Sequence, residues 1–220
     1  MPINPDYWKK RWNDSQIGWH ADETNKRLTE HWPSLGIEAG ARVIAPLCGK
    51  SLDLHHLASF GHSVSGVEVS PVACEAFFNE AKLAFDVRPF GAALLYTSER
   101  IDLYCGDVFA SWVGDLPLFD AFYDRAALIA LDADGRAKYA RWIATALKPG
   151  ASGLVLTIEY PNAEKNGPPF SVRADEITAL YQESFEIEEL HREEIIDRDP
   201  KYRAWGLSSL KECVYRLRRR

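Results

Sequence analysis

From Arg42 to Glu159 the chain alternates short, β-branched apolar runs with longer segments of helical periodicity. This alternation narrows the fold more than any other feature. Strands are expected at 42–46, 63–68, 101–105, 119–123 and 153–159, and helices at 52–60, 71–84, 133–147 and 174–183. Ser70 ahead of Pro71 reads as an N-cap with a first-turn proline, and Gly61 closes the preceding helix. Lys148-Pro149-Gly150 reads as the stop of the helix begun at 133. Two late runs, 185–191 and 212–217, bring the strands to seven. The run at 153–159 is the most strongly apolar and is expected at the centre of the sheet, covered on both faces. Strands alternating with helices imply right-handed βαβ units, hence a doubly wound, mostly parallel seven-stranded α/β sheet. No linker or repeat divides the 220 residues. A single domain is expected, with an N-terminal helical segment (1–40) ahead of the sheet-forming core (41–220).

Several function classes are set aside at once. No apolar stretch approaches the ~18 residues of a spanning helix, and the N-terminus lacks a basic region followed by an apolar run. The expectation is a soluble, cytoplasmic protein with no membrane partner. Lys and Arg number 26 against 32 Asp and Glu, a net charge of −6. That balance argues against nucleic acid, because phosphate neutralisation demands a basic excess. Arg216, Arg218, Arg219 and Arg220 read as the solvated end of the last strand. The four cysteines form no CxxC pair and are expected as reduced thiols. His20, His55, His56 and His62 share no ligand spacing with cysteine or acid, so no metal is expected. A monomer acting on a small molecule is the resulting expectation.

In a sheet of this kind ligands bind beyond the carboxyl ends of the strands. The residues there are Leu47-Cys48-Gly49-Lys50, Glu68-Val69-Ser70, Gly106-Asp107-Val108, Asp124-Arg125 and Glu159-Tyr160. The first turn ends in Gly-Lys-Ser, but a phosphate-binding loop needs glycine where Ile44 stands. The dinucleotide fingerprint fails as well, since Gly49 is the only glycine between Gly40 and Gly61. Glu68 falls 19 residues after Gly49, where a carboxylate accepts from ribose hydroxyls. Asp107 and Val108 stand where an adenine edge could meet a carboxylate and a backbone N–H. A ribose-bearing ligand without a required pyrophosphate fits these anchors, and S-adenosylmethionine is such a ligand.

Pro46-Leu-Cys-Gly-Lys-Ser51, Gly61-His62, Gly66-Val-Glu68 and Asp124-Arg-Ala-Ala-Leu128 resemble the thiopurine S-methyltransferase family. So do Gly167-Pro-Pro-Phe170 and the N-terminal Trp8-x-x-x-Trp12 with Trp19-His20. The resemblance runs from about Asn4 to the C-terminus and is to the short bacterial members. It implies a Rossmann-like methyltransferase core with an N-terminal lid. It implies cofactor contacts from Trp12, Leu47, Gly49, Glu68, Asp107, Val108 and Arg125. It also places Trp19 and Phe170 near substrate, and gives catalytic roles to Arg125 and to either Lys201 or Arg203.

Each assignment has a plainer alternative. Trp8 and Trp12 lie at i, i+4 and share one helix face, so either could be core. Arg125 could pair with Asp124. Gly167-Pro-Pro-Phe170 could be only a rigid loop. Methyl transfer from a sulfonium needs alignment in a site closed to water, and acidic aromatic thiols need no strong base. Acceptors such as halide, thiocyanate or inorganic selenium and tellurium species fit the same site logic. A nucleotide-binding NTPase and a non-catalytic binding module are the readings from other classes.

Overall fold

Alternation within single strands builds a core on both faces of the sheet. Val43 and Ala45 pack on one face and Ile44 on the other, as do Leu154 and Leu156 against Val155. The structure, a computed structural model, describes residues 4–220. Among these, nine strands form one sheet: β1 (Arg42–Pro46), β2 (Ser63–Glu68), β3 (Asp86–Phe90), β4 (Ala93–Thr97), β5 (Ile101–Cys105), β6 (Phe119–Arg125), β7 (Leu147–Glu159), β8 (Phe185–Glu194) and β9 (Lys211–Arg219). The helices are α1 (Pro5–Asn13), α2 (Lys26–His31), α3 (Asp53–Ser59), α4 (Pro71–Glu80), α5 (Ala133–Ala146), α6 (Ala174–Tyr181) and α7 (Pro200–Ala204).

Strand order is β3-β4-β5-β2-β1-β6-β7-β9-β8. The pairs β1/β2, β1/β6, β2/β5 and β6/β7 are parallel. The pairs β3/β4, β4/β5, β7/β9 and β8/β9 are antiparallel. The sheet is therefore mixed and nine-stranded, not seven-stranded and mostly parallel. The two additional strands form the β3–β4 hairpin. β3 is an exposed edge strand carrying Pro89, and its polar composition hides it from an apolar-run reading. β7 is interior but lies two places from the middle, which β1 occupies. Lys148-Pro149-Gly150 does not separate α5 from the strand: β7 begins at Leu147, and a register irregularity against β6 absorbs the segment.

The order in which successive strands are added reverses at β1, while β1 and its neighbours stay parallel. β2 and β5 lie to one side of it, β6 and β7 to the other, which opens a crevice at their carboxyl ends. The caps follow the sequence: Ser70 Oγ accepts from Ala73 N, and Asn4 Oδ1 accepts from Tyr7 N at 3.0 Å. Buried Asp53, at the start of α3, accepts from Asn25 N at 2.7 Å and from the Tyr123 hydroxyl at 3.0 Å. It ties the N-terminal segment to β6. Arg27 on α2 adds a second tie, donating to Glu212 on β9 at 2.7 Å and also to Glu193 on β8.

Gly66 on β2 leaves the space that lets the turn after β1 fold back on the sheet. A Cβ there would stand 2.5 Å from Leu103 Cδ2 and 2.6 Å from Cys48 Sγ. Gly66→Ala is expected to destabilise the protein by about 1–3 kcal/mol, the usual cost of overpacking. Urea denaturation checks this; an unchanged midpoint would show that the turn does not rely on that gap.

Candidate active site

The crevice holds a cavity of about 830 Å3. Its floor is the set of turns that follow β1, β2, β5 and β6, with Thr157 and Ile158 of β7 at one side. Trp8, Trp12, Trp19 and His20 from the N-terminal segment form a wall, and Pro168, Pro169, Lys201 and Trp205 approach from the other side.

One buried carboxylate organises the floor. Glu68 Oε2 accepts from Gly49 N at 2.9 Å and Oε1 accepts from Ser70 N at 2.8 Å, so two successive strand-to-helix turns are pinned to one side chain. Burial pushes its carboxyl above the ordinary value, and the N–H groups of Ser70, Gly49 and Val69 act the other way. Glu68 does not face solvent at the start of a loop. The turn it holds is bent sharply: Leu47 has φ +49° and Gly49 φ +55°. For leucine the left-handed region costs on the order of 1–2 kcal/mol, a strain typical of sites that overdetermine the backbone. At Gly49 a Cβ would stand 2.9 Å from Trp12 Cζ2. The missing side chain is what lets α1 close down on the turn.

The N-terminal aromatics form an edge-to-face cluster. Trp19 meets Trp8 at 5.2 Å and Trp12 at 6.0 Å between ring centroids, and the Arg11 guanidinium lies 5.3 Å over Trp19. Both tryptophans of α1 line the cavity, Trp12 nearly fully buried. The Trp8 indole N–H is buried without a hydrogen-bond partner. The Trp19 carbonyl accepts from Arg125 Nη2 at 3.4 Å, which joins this wall to the end of β6.

Arg125 is not paired with Asp124. The Asp124 side chain turns inward, where Oδ1 accepts from the N–H groups of Ala127 and Leu128, both at 3.2 Å. It thereby fixes the turn in which Ala126 takes φ +67°, and that turn directs Arg125 into the cavity. Burial pushes the Asp124 carboxyl up to about 6, with the Tyr139 hydroxyl and the two backbone N–H groups acting in the opposite direction.

Of the residues singled out from sequence, Trp12, Trp19, Leu47, Gly49, Glu68, Asp107, Val108, Arg125 and Lys201 line one cavity. Arg203 does not: its guanidinium pairs with Asp197 at 2.6 Å, away from the cavity. Lys201, held by Asp199 at 2.7 Å, is the basic residue of that stretch that reaches it. Phe170 is also outside. Its ring packs beneath Arg136 at 5.6 Å and its N–H donates to the Ile129 carbonyl at 2.7 Å, leaving Pro168 and Pro169 to face the cavity. Phe109, Lys165 and Ile195 line it too and carried no sequence signal. Lys50, which a phosphate loop would aim at its ligand, is instead bound to Glu80 at 2.6 Å and 2.8 Å.

One cluster of metal-ligand atoms among the described residues, His191, Glu193 and Glu212, is visible only in three dimensions. Arg27 and Arg198 already engage both of its carboxylates.

Several solved structures with this architecture are methyltransferases. They include the N-methyltransferase NodS from Bradyrhizobium japonicum in complex with S-adenosylhomocysteine, with TM-score 0.60 at 15% identity over 90% of this chain and 89% of that one. Another is the Burkholderia thailandensis 1,6-didemethyltoxoflavin N1-methyltransferase, with TM-score 0.62 at 17% identity over 99% and 87%. The fold is thus that of the α/β methyltransferases. The family model for thiopurine S-methyltransferase matches residues 3–220. Proteins named thiopurine S-methyltransferase from Xanthomonas campestris and Shewanella pealeana are 45% and 39% identical, each over 99% of this chain and 100% of their own length. The chain belongs to the thiopurine S-methyltransferase family.

Asp124 generates a pH prediction. Its folded value, about 6, lies above the ordinary 3.8. Its contribution to stability is then fully present below about pH 3.8 and is lost as pH rises through about 6, a change on the order of 3 kcal/mol. Asp124→Asn keeps an oxygen for Ala127 and Leu128 and removes the titration. The stability of wild type relative to this variant, from urea denaturation, should fall between about pH 4 and pH 7. Parallel pH dependences would show that the carboxyl titrates normally.

Proposed function

We propose that the cavity binds S-adenosylmethionine over the turns after β1, β2 and β5, and an aromatic or heterocyclic thiol between Arg125, Trp19 and Lys201. The observation that carries this reading is the Glu68 carboxylate, buried at the cavity wall between two backbone N–H donors. Each oxygen keeps a second acceptor site for a ribose hydroxyl. The rest of the wall suits the same ligand. Asp107 and buried Val108 offer a polar edge and an apolar surface for a purine, and the unpartnered Trp8 N–H offers a donor.

When bound, S-adenosylmethionine supplies a methyl group on a sulfonium centre, open to in-line attack by sulfur. The protein's own task is alignment and exclusion of water. Trp12, packed on Gly49, covers the cofactor region, and α1 with Trp19 acts as its lid. Flat apolar walls from Trp19 and Trp205 select a planar or soft acceptor. Arg125 cannot lose its proton near neutral pH, so it donates to an anionic acceptor and does not act as a base. Lys201 adds a second cation at the acceptor end. The direct test is methylation of benzenethiol by S-adenosylmethionine, followed by mass spectrometry; S-methyl product supports the reading and its absence at high enzyme concentration refutes it.

Arg125→Met retains bulk and removes charge. At saturating S-adenosylmethionine, kcat/KM for benzenethiol should fall on the order of 10²-fold, as for loss of one preorganised donor. Near-wild-type turnover would make Arg125 a structural residue. A closing lid has its own signature. Hydrogen exchange of residues 4–20 should slow on addition of S-adenosylhomocysteine, and identical exchange would mean that α1 is ordinary packing.

A further inference from the structure

His20 stands in the cavity wall one residue after Trp19, whose carbonyl accepts from Arg125 Nη2. Its own N–H donates to the Ile17 carbonyl at 2.8 Å, which fixes the residue at the end of a tight turn. The imidazole forms no hydrogen bond among the described residues. The charges that face it are Lys50 and Arg125 of one sign and Asp22 and Glu80 of the other, with Glu80 itself held by Lys50. Burial first and Lys50 next lower the imidazole below its ordinary value of 6.5. The ring is therefore neutral near pH 7 and can accept a proton.

The acids of the cavity wall are already engaged. Both oxygens of Glu68 accept from backbone N–H groups, Glu212 is held by Arg27 and Arg198, and Asp107 Oδ1 accepts from Phe109 N at 2.9 Å. Aromatic thiols are acidic and ionise unaided near neutral pH. Less acidic thiols reach the cavity protonated and cannot react until the proton leaves.

We propose that His20 is the base that accepts this proton, so that the enzyme also methylates benzylic and alkyl thiols. The inference rests on the cavity being a thiol methyltransferase site. The acceptor S–H bond breaks, its proton passes to a ring nitrogen of His20, and the electron pair stays on sulfur. That sulfur forms the new bond to the methyl carbon as the bond from methyl to the sulfonium breaks, and its electron pair leaves a neutral thioether. The imidazolium then returns its proton to solvent through the cavity mouth. Arg125 and Lys201 favour the step by stabilising the thiolate, which brings the thiol's acidity toward that of the imidazole.

Two thiols separate the outcomes: benzenethiol, largely ionised at about pH 8, and phenylmethanethiol, largely protonated there. With S-adenosylhomocysteine bound, wild-type protein should give the ultraviolet thiolate band of phenylmethanethiol at that pH, and His20→Gln should lose it. In turnover, the ratio of kcat/KM for benzenethiol to that for phenylmethanethiol should rise about 10²-fold in His20→Gln, the scale of general-base catalysis. The phenylmethanethiol profile should change from a plateau through the neutral range to a tenfold rise per pH unit. Added imidazole should restore His20→Ala toward the wild-type profile. Calorimetry with S-adenosylhomocysteine identifies folded variants, and His20→Asn replaces the glutamine variant should that fail to bind. An equal loss on both thiols, or a variant that keeps the plateau, would overturn the role of His20. Absence of product from benzenethiol with wild type would instead overturn the methyltransferase reading, and this inference with it.

Discussion

The site depends on one carboxylate held between two backbone N–H groups. Glu68 ends β2, yet its oxygens reach Gly49 N in the turn after β1 and Ser70 N at the cap of α4. A buried acid is costly unless it is hydrogen-bonded, and here the same bonds that satisfy it also set the separation of the two turns. Everything above them inherits that spacing: the left-handed Leu47, the bare surface of Gly49, and the Trp12 ring seated on it. Charge-assisted bonds of this kind are among the stronger ones in proteins. On the proposed reading, a ribose hydroxyl would meet a carboxylate already immobilised.

The N-terminal segment is joined to this floor by polar anchors that lie apart from the cavity's aromatic wall. Asp53 takes the backbone N–H of Asn25 and the hydroxyl of Tyr123, and Arg27, its side chain only 6% exposed, is shared by Glu30, Glu193 and Glu212. Arg27 is the buried member of this cluster, and the three partly exposed carboxylates offset the cost of burying its charge. Ahead of Asn25, α1 and the Trp8–Trp12–Trp19 cluster rest on the core through packing and through the hydrogen bond from Arg125 Nη2 to the Trp19 carbonyl.

Much of this was legible in the sequence. The parallel strands β1, β2, β5, β6 and β7 are apolar runs covered on both faces, and periodicity finds such runs well. β3 escaped because an edge strand faces water and carries Arg88 and Pro89 in place of an apolar stripe. The turn residues Leu47, Glu68 and Arg125, singled out because ligands in such sheets meet the carboxyl ends of the strands, line the cavity. Phe170 and the alternative Arg203 lie outside the cavity for a different reason. A motif supplies order along the chain, but side-chain direction in a loop is decided by partners distant in sequence: Arg136 draws Phe170 away, and Asp197 draws Arg203. The inward turn of Asp124 likewise depends on the Ala127 and Leu128 N–H groups, which become available only once the loop has closed.

Glu68 and the turns it pins are proposed as a nucleoside site of the S-adenosylmethionine type, without phosphate recognition. Titration calorimetry of the unmodified protein with S-adenosylhomocysteine and, in parallel, with ATP tests it directly. Saturable one-to-one binding of S-adenosylhomocysteine with no measurable heat from ATP is the expected result. Binding of ATP, with S-adenosylhomocysteine silent, would contradict it and return Lys50 and the Gly-Lys-Ser turn to the centre of the site.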